Sequence, residues 1–209
     1  LTSLTWAFAG VLNPAMSQLH AFVSEYSARD QPWRYLFQTT DVVMGTSLCL
    51  AGLATLAWAR HRPLGRQGWS GIGFVVGGLF SVLDALVTMD CSPTRSPACM
   101  AAEEAGHVSA SHIVHVGTST VVVIGFALPI LLLNSTMTRF RGFGLVVAWA
   151  WVIFTLLNGI GAMDWFNGTP MSYTGIWQRL SLGLGTLWWL TLAADDVITA
   201  RARNHVPSC

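Results

Sequence analysis

Three histidines, His107, His112 and His115, fall within nine residues of one another. His112 and His115 are three apart, so on a helix they share a face. Ser111 and Ser119, each four positions from His115, extend that stripe. Imidazole is both a common metal ligand and a general base near neutral pH. Two imidazoles on one helical face hold zinc when further ligands come from elsewhere in the chain. Asp41, Asp90, Asp164 and Glu25 each sit beside the end of an apolar segment, and all read as lying at the same end. The expected metal set is therefore His112, His115, Asp90, Asp164 and Asp41, with a divalent metal such as zinc as the candidate cofactor. The chain has no H-E-x-x-H pattern. Histidines bonded to carboxylates or water at headgroup level explain the same spacing without a metal.

Asp84 lies inside an apolar run, about one and a half turns from its end. A carboxylate at membrane depth costs on the order of 3 kcal/mol. It should face the bundle interior, with Ser81 and Thr88 on its own helical face and either Arg179 or a histidine as partner. A structural ion pair and a functional acid fit this placement equally. The expected catalytic groups are thus His112, His115, Asp84, Glu25 and Arg179. A histidine would serve as base, a carboxylate as acid and Arg179 as an anion clamp. Asp41 opens an apolar segment, where a carboxylate also suits a helix N-terminus.

Cys91 and Cys99 are separated by seven residues, which is not a thioredoxin-like spacing. A structural disulfide is expected, closing a short loop and stabilising by roughly 2–3 kcal/mol. It would require an oxidising face. Cys49, inside an apolar segment, reads as a small buried side chain.

The elements that position these groups follow from composition. Hydrophobic residues make up 53% of the chain and charged ones only 10%, against about a quarter in soluble domains. The net charge of +1 gives no basic patch for nucleic acid. No phosphate-binding Gly loop or nucleophile elbow is present. Six segments are apolar enough to span a bilayer that takes about 20 residues to cross. They run at about 1–23, 41–59, 69–89, 112–133, 143–163 and 176–197. Asn13-Pro14 should kink the first. The first is read as a retained helix, because no small-residue cleavage pattern closely follows it. The expected fold is all-α: one polytopic domain over 1–209, a bundle of about six transmembrane helices.

Arg60, Arg62, Arg66, Arg139, Arg141, Arg201 and Arg203 fall on one side of that bundle. Arg29, Arg34, Arg95 and Arg179 fall on the other, with most of the acids. The basic excess marks the cytoplasmic side, which places both termini inside. The outer connections are longer and more polar, so the outer face should carry function. The absence of Lys suggests a GC-rich genome, and the expected location is a bacterial inner membrane.

A first apolar segment leading into Ser24-Glu25-Tyr26-Ser27-Ala28 and Asp30-Gln31-Pro32, an Asp90-Cys91 corner and a His-bearing fourth segment form a pattern. It resembles the uncharacterised prokaryotic membrane family known as domain of unknown function 998. That family typically has Ser-Glu-Leu in the first motif, so Tyr26 is a mild departure. The resemblance covers nearly the whole chain. It implies six helices and an outer polar cluster, and it carries no established activity.

Three functions fit these residues. One is a membrane-embedded enzyme acting on a lipid-like or hydrophobic substrate by acid–base or metal-assisted chemistry. Another is a transporter, or a subunit of one, with Asp84 as a proton site and an oligomeric assembly. The third is a scaffold or accessory protein for a membrane partner. The concentration of ionisable residues at one end favours the enzyme.

Overall fold

A computed structural model of the chain describes residues 2–61, 63–166 and 173–204. Among these the architecture is all-α. A 3-10 segment Thr2–Phe8 runs into a four-residue helix α1, Ala9–Leu12. Two long helices come next, α2 (Arg34–Ala59) and α3 (Arg66–Leu86). A short helix α4 (Pro97–Glu104) precedes α5 (Ala110–Leu133), α6 (Arg141–Phe166) and α7 (Thr174–Asn204).

Among the described residues four stretches are long and apolar enough to cross a membrane: Arg34–Ala59, Arg66–Leu86, Ala110–Thr136 and Arg141–Met163. They cover the second to fifth expected segments. Their faces toward lipid are apolar: Leu50, Leu53, Ile124, Trp149, Ile153 and Leu156 are all exposed. In water such a surface would be untenable, whereas lipid accepts it. The helix α7 covers the expected sixth segment, but Gln178, Arg179, Asp195 and Asp196 make it more polar than the other four.

The expected first span, 1–23, is not one helix. Beyond α1, Asn13 leaves the helix, its side chain donating to Gln31 Oε1 at 2.8 Å. Pro14 has no N–H with which to continue it. Residues 15–22 form turns, leading into a second 3-10 segment, Val23–Ser27. The predicted kink is therefore a full break. The chain from Asn13 to Trp33 folds down as a polar cap over one end of the bundle, burying Glu25, Tyr26, Ser27, Ala28 and Gln31.

Small residues set how closely the helices pack. The antiparallel helices α2 and α3 lie face to face, and α3 packs on α5 through its other side. A Cβ added to Gly78 would come within 2.5 Å of the Gly45 carbonyl oxygen, so only glycine fits this crossing. Pro129 removes the N–H that would bond the Gly125 carbonyl four residues earlier. Gly73 of α3 approaches that same carbonyl. The helices α6 and α7 form a second pair, whose core joins Val147, Ala148, Trp151 and Trp188 to Ile130 of α5. Phe74 of α3 meets Trp189 of α7 with ring centroids 4.7 Å apart.

Candidate functional site: a polar network beneath the cap

The predicted polar residues gather at one end of the bundle but divide into three networks. The first is centred on Glu25. Its carboxylate is fully buried and accepts from the Phe22 N–H (2.8 Å), the Ser92 hydroxyl (2.5 Å), and both the N–H (3.0 Å) and hydroxyl (2.6 Å) of Thr94. Burial pushes the Glu25 pKa above its usual value, and these hydrogen bonds oppose the shift without cancelling it. The Ser92 and Thr94 bonds tie the cap to the loop that Cys91 and Cys99 close as a disulfide. Glu25 is thus placed as a latch rather than as a group facing a substrate.

Asp90 anchors the second network. Its carboxylate accepts from Arg29 Nη1 (2.9 Å), the Ser109 N–H (2.6 Å) and the Ser109 hydroxyl (2.7 Å). Burial alone would raise its pKa, but these donors outweigh it and hold the carboxyl below its ordinary range. Ser109 caps α5, its hydroxyl also accepting the His112 N–H at 3.3 Å. The backbone N–H of Asp90 donates to His112 Nδ1 at 3.2 Å. That nitrogen therefore carries no proton, and neutral His112 holds its proton on Nε2. Glu103 Oε1 lies 3.7 Å from Nε2.

The third network is His115 with Asp84. His115 Nδ1 lies 2.9 Å from the Val87 carbonyl, 3.2 Å from the Asp84 carbonyl and 3.2 Å from the Asp84 carboxylate. Carbonyls only accept, so Nδ1 is the protonated nitrogen. Two of these acceptors exist because α3 ends there, leaving its last carbonyls without helical partners. The Asp84 carboxylate also accepts from the Thr118 hydroxyl and from Ser119 Oγ at 2.9 Å. The expected stripe of His115 and Ser119 is therefore real, and of the two proposed partners for Asp84 it is the histidine that holds it. His115 Nε2 is buried with no hydrogen-bond partner. Asp41 belongs to the same neighbourhood: it lies one turn from Gly45, whose α3 neighbours are Gly78, Ser81 and Val82, on the face of α2 that meets α3.

Arg179 is elsewhere. Its Nη1 donates to the carbonyls of Gln18, Ala21 and Gly175, each at 2.9 Å, and its guanidinium lies over the Tyr26 ring. It holds the cap against α7, and none of these bonds reaches His115 or Asp84. His107 is exposed and contributes no side chain to the cluster.

The described members of the expected metal set, His112, His115, Asp90 and Asp41, do not form a metal site by themselves. Among the described residues no three His, Cys, Asp or Glu side chains are arranged to hold a metal ion. Asp90 is turned to Arg29 and Ser109, and His112 offers Nε2 as a donor rather than a lone pair. The side chain of Asp164 lies outside the described residues.

Sequence reasoning missed Asp195. It is buried near the far end of α7 and accepts the backbone N–H groups of Thr138 (2.9 Å), Arg139 (2.6 Å) and Phe140 (2.8 Å). These are donors just ahead of α6, so a carboxylate from one helix caps its neighbour. The one available signal was an acidic pair ending an apolar run.

Apolar spans carrying buried polar networks at one end define a multi-pass membrane protein. The chain belongs to the family described as protein of unknown function (DUF998), which matches residues 1–195. No curated protein and no solved structure matches the chain.

Proposed function

We infer that this protein is a membrane-embedded acid–base catalyst acting on a lipid-like substrate, with His115 as the general base and Asp84 as its orienting carboxylate. The observation that carries the reading is the state of the His115 ring. Its Nδ1–H is held by the carbonyls of Val87 and Asp84, with the Asp84 carboxylate 3.2 Å from the same nitrogen, while Nε2 is buried and without a partner. An imidazole held in this way keeps its second nitrogen as the base. A base buried among apolar helices meets hydrophobic substrates, and α3 and α5 border the lipid from which they would come. Glu25 and Asp90 hold the scaffold, and Arg179 seats the cap.

The Arg asymmetry supports a location in a bacterial inner membrane with the cap outside and the C-terminus cytoplasmic. The helix α7, at 31 residues, is long enough to add a fifth crossing to the four apolar spans. Residues 2–12 supply about 20 Å of 3-10 and α-helix, part of a crossing.

The test is untargeted lipid mass spectrometry on the purified protein in nanodiscs containing a total lipid extract. The wild type should convert at least one lipid, and His115→Gln should slow that conversion about 100-fold or more while melting normally. Conversion unchanged in His115→Gln would overturn the assignment.

A second reading rests on Asp41 beside Asp84. Two carboxylates at membrane depth suit a proton site in a transporter. It expects an oligomer, and proton uptake into vesicles that Asp84→Asn abolishes.

A further inference from the structure

Beside the cap, between the start of α2 and the end of α3, lies an open cavity of about 410 Å³. Arg29, Arg34, Tyr35, Gln38, Leu86 and Thr88 line it. Its polar rim and apolar flank differ sharply. On one side stand two guanidinium groups, of which only Arg29 has a carboxylate partner, Asp90 at 2.9 Å. Arg34 donates Nη1 to the Arg29 carbonyl at 3.0 Å and Nη2 to the Tyr35 hydroxyl. Among the described residues it pairs with no acid, so one positive charge in the cavity is uncompensated. On the other side Leu86 is 69% exposed, on a helix whose outer surface is lipid-facing.

The depth of the cavity is set by the same residues. Trp33 and Tyr35 are both exposed at the first turn of α2. Amphipathic rings at the end of a spanning helix sit at headgroup level. A ligand here would have its polar part beside the arginines and its apolar part running down α2 and α3 in the lipid. Arginine's planar fork matches phosphate oxygens. An uncompensated guanidinium favours an anionic headgroup over a zwitterionic one.

We propose that the Arg29/Arg34 cavity is a binding site for one anionic phospholipid, its phosphate on the guanidinium groups and its acyl chains along α2 and α3. Arg34 supplies the net charge, and Arg29, held by Asp90, supplies a fixed second donor. The site is distinct from the His115–Asp84 pair and stands whether or not His115 is a catalyst.

The test is native mass spectrometry of the full chain in neutral detergent. The protein is titrated with phosphatidylglycerol or with phosphatidylcholine carrying the same acyl chains. One phosphatidylglycerol should bind, half-saturating at a concentration about five-fold below that of phosphatidylcholine, as expected for one basic side chain at a membrane surface. Arg34→Gln should abolish that preference, and Arg60→Gln, at the opposite end of α2, should leave it intact. Leu86→Glu, at an exposed position, places a like charge beside the phosphate and should also abolish it, which covers the case in which Arg34→Gln does not fold. Retention of the preference in either cavity variant that folds, or its equal loss in Arg60→Gln, would overturn the site. Inorganic phosphate displacing phosphatidylglycerol at equal concentration would overturn the lipid assignment in favour of a free-phosphate site.

Discussion

Glu25 and Asp195 do the same work at opposite ends of the bundle, and neither role can be read from its neighbours in sequence. Each is a buried carboxylate satisfied by donors that arrive from far along the chain. Ser92 and Thr94 lie 67 and 69 residues from Glu25, and Thr138 to Phe140 lie 57 to 55 residues before Asp195. His115 and Asp84 were more legible, because a carboxylate inside an apolar run must find a polar partner and the His–Ser stripe offered one. The Glu25 pKa is raised from 4.5 in the folded chain. Between 4.5 and the raised value the folded state binds more protons than the unfolded one, so stability falls as pH rises through that window. Asp90, with its pKa lowered, has the opposite sign: its contribution is lost as pH falls below its unfolded value. Thermal melts in detergent across this range should show a Glu25-dependent decline that is absent in Glu25→Gln. That variant should also be about 1–3 kcal/mol less stable, since an amide has one acceptor oxygen for donors on both. A Glu25→Gln melt as steeply pH-dependent as the wild type would refute the assignment. Asp195→Asn loses one of two acceptor oxygens facing three backbone N–H groups, and a loss of about 1–3 kcal/mol in the same assay is expected.

Apolar length and Gly-rich faces made α2, α3, α5 and α6 legible, since spanning a bilayer leaves the backbone few alternatives. The first apolar segment was misleading. Hydropathy reports that a stretch can enter lipid, and Asn13-Pro14 decides that it does not continue as one helix. The tertiary partners of Asn13 and Glu25 then fold the segment up to Trp33 into a cap, and those partners are invisible to periodicity. The disulfide loop was expected from two cysteines, but its purpose lies in what it carries. Ser92 and Thr94 sit inside it and hold Glu25, and Ser96 caps α4 by accepting the Cys99 N–H at 3.3 Å. Replacing Cys91 and Cys99 by serine should lower stability by about 2–3 kcal/mol from loop entropy alone. The loss should shrink when Glu25→Gln is already present, because both changes loosen the same cap–loop contact. Full additivity of the two in a double-mutant cycle of thermal melts would separate the loop from the latch.

The whole molecule is polarised. One end carries the cap, the disulfide, Asp90, His112 and the Arg29/Arg34 cavity, while the other carries short connections and arginines at 60, 66, 139, 141 and 201. The polarity has two independent physical signs. Basic residues near span ends are retained in the cytoplasm, and a disulfide persists on an oxidising face. Both support the proposed orientation with the cap outside, and they need not have agreed. In that orientation Arg60, just past the end of α2, would lie inside and His107, between α4 and α5, would lie outside. Both positions lie at the surface in short connections, so each tolerates a cysteine. In a Cys49→Ser/Cys209→Ser background, a membrane-impermeant maleimide applied to intact cells should label His107→Cys and leave Arg60→Cys unlabelled until the cells are opened. Labelling of Arg60→Cys alone would invert the protein, putting the disulfide on the reducing side and the unpaired charge of Arg34 in the cytoplasmic leaflet. The expected pattern instead places the cap, the cavity and the His115–Asp84 pair at the outer leaflet. Any lipid that reaches them must then come from that side.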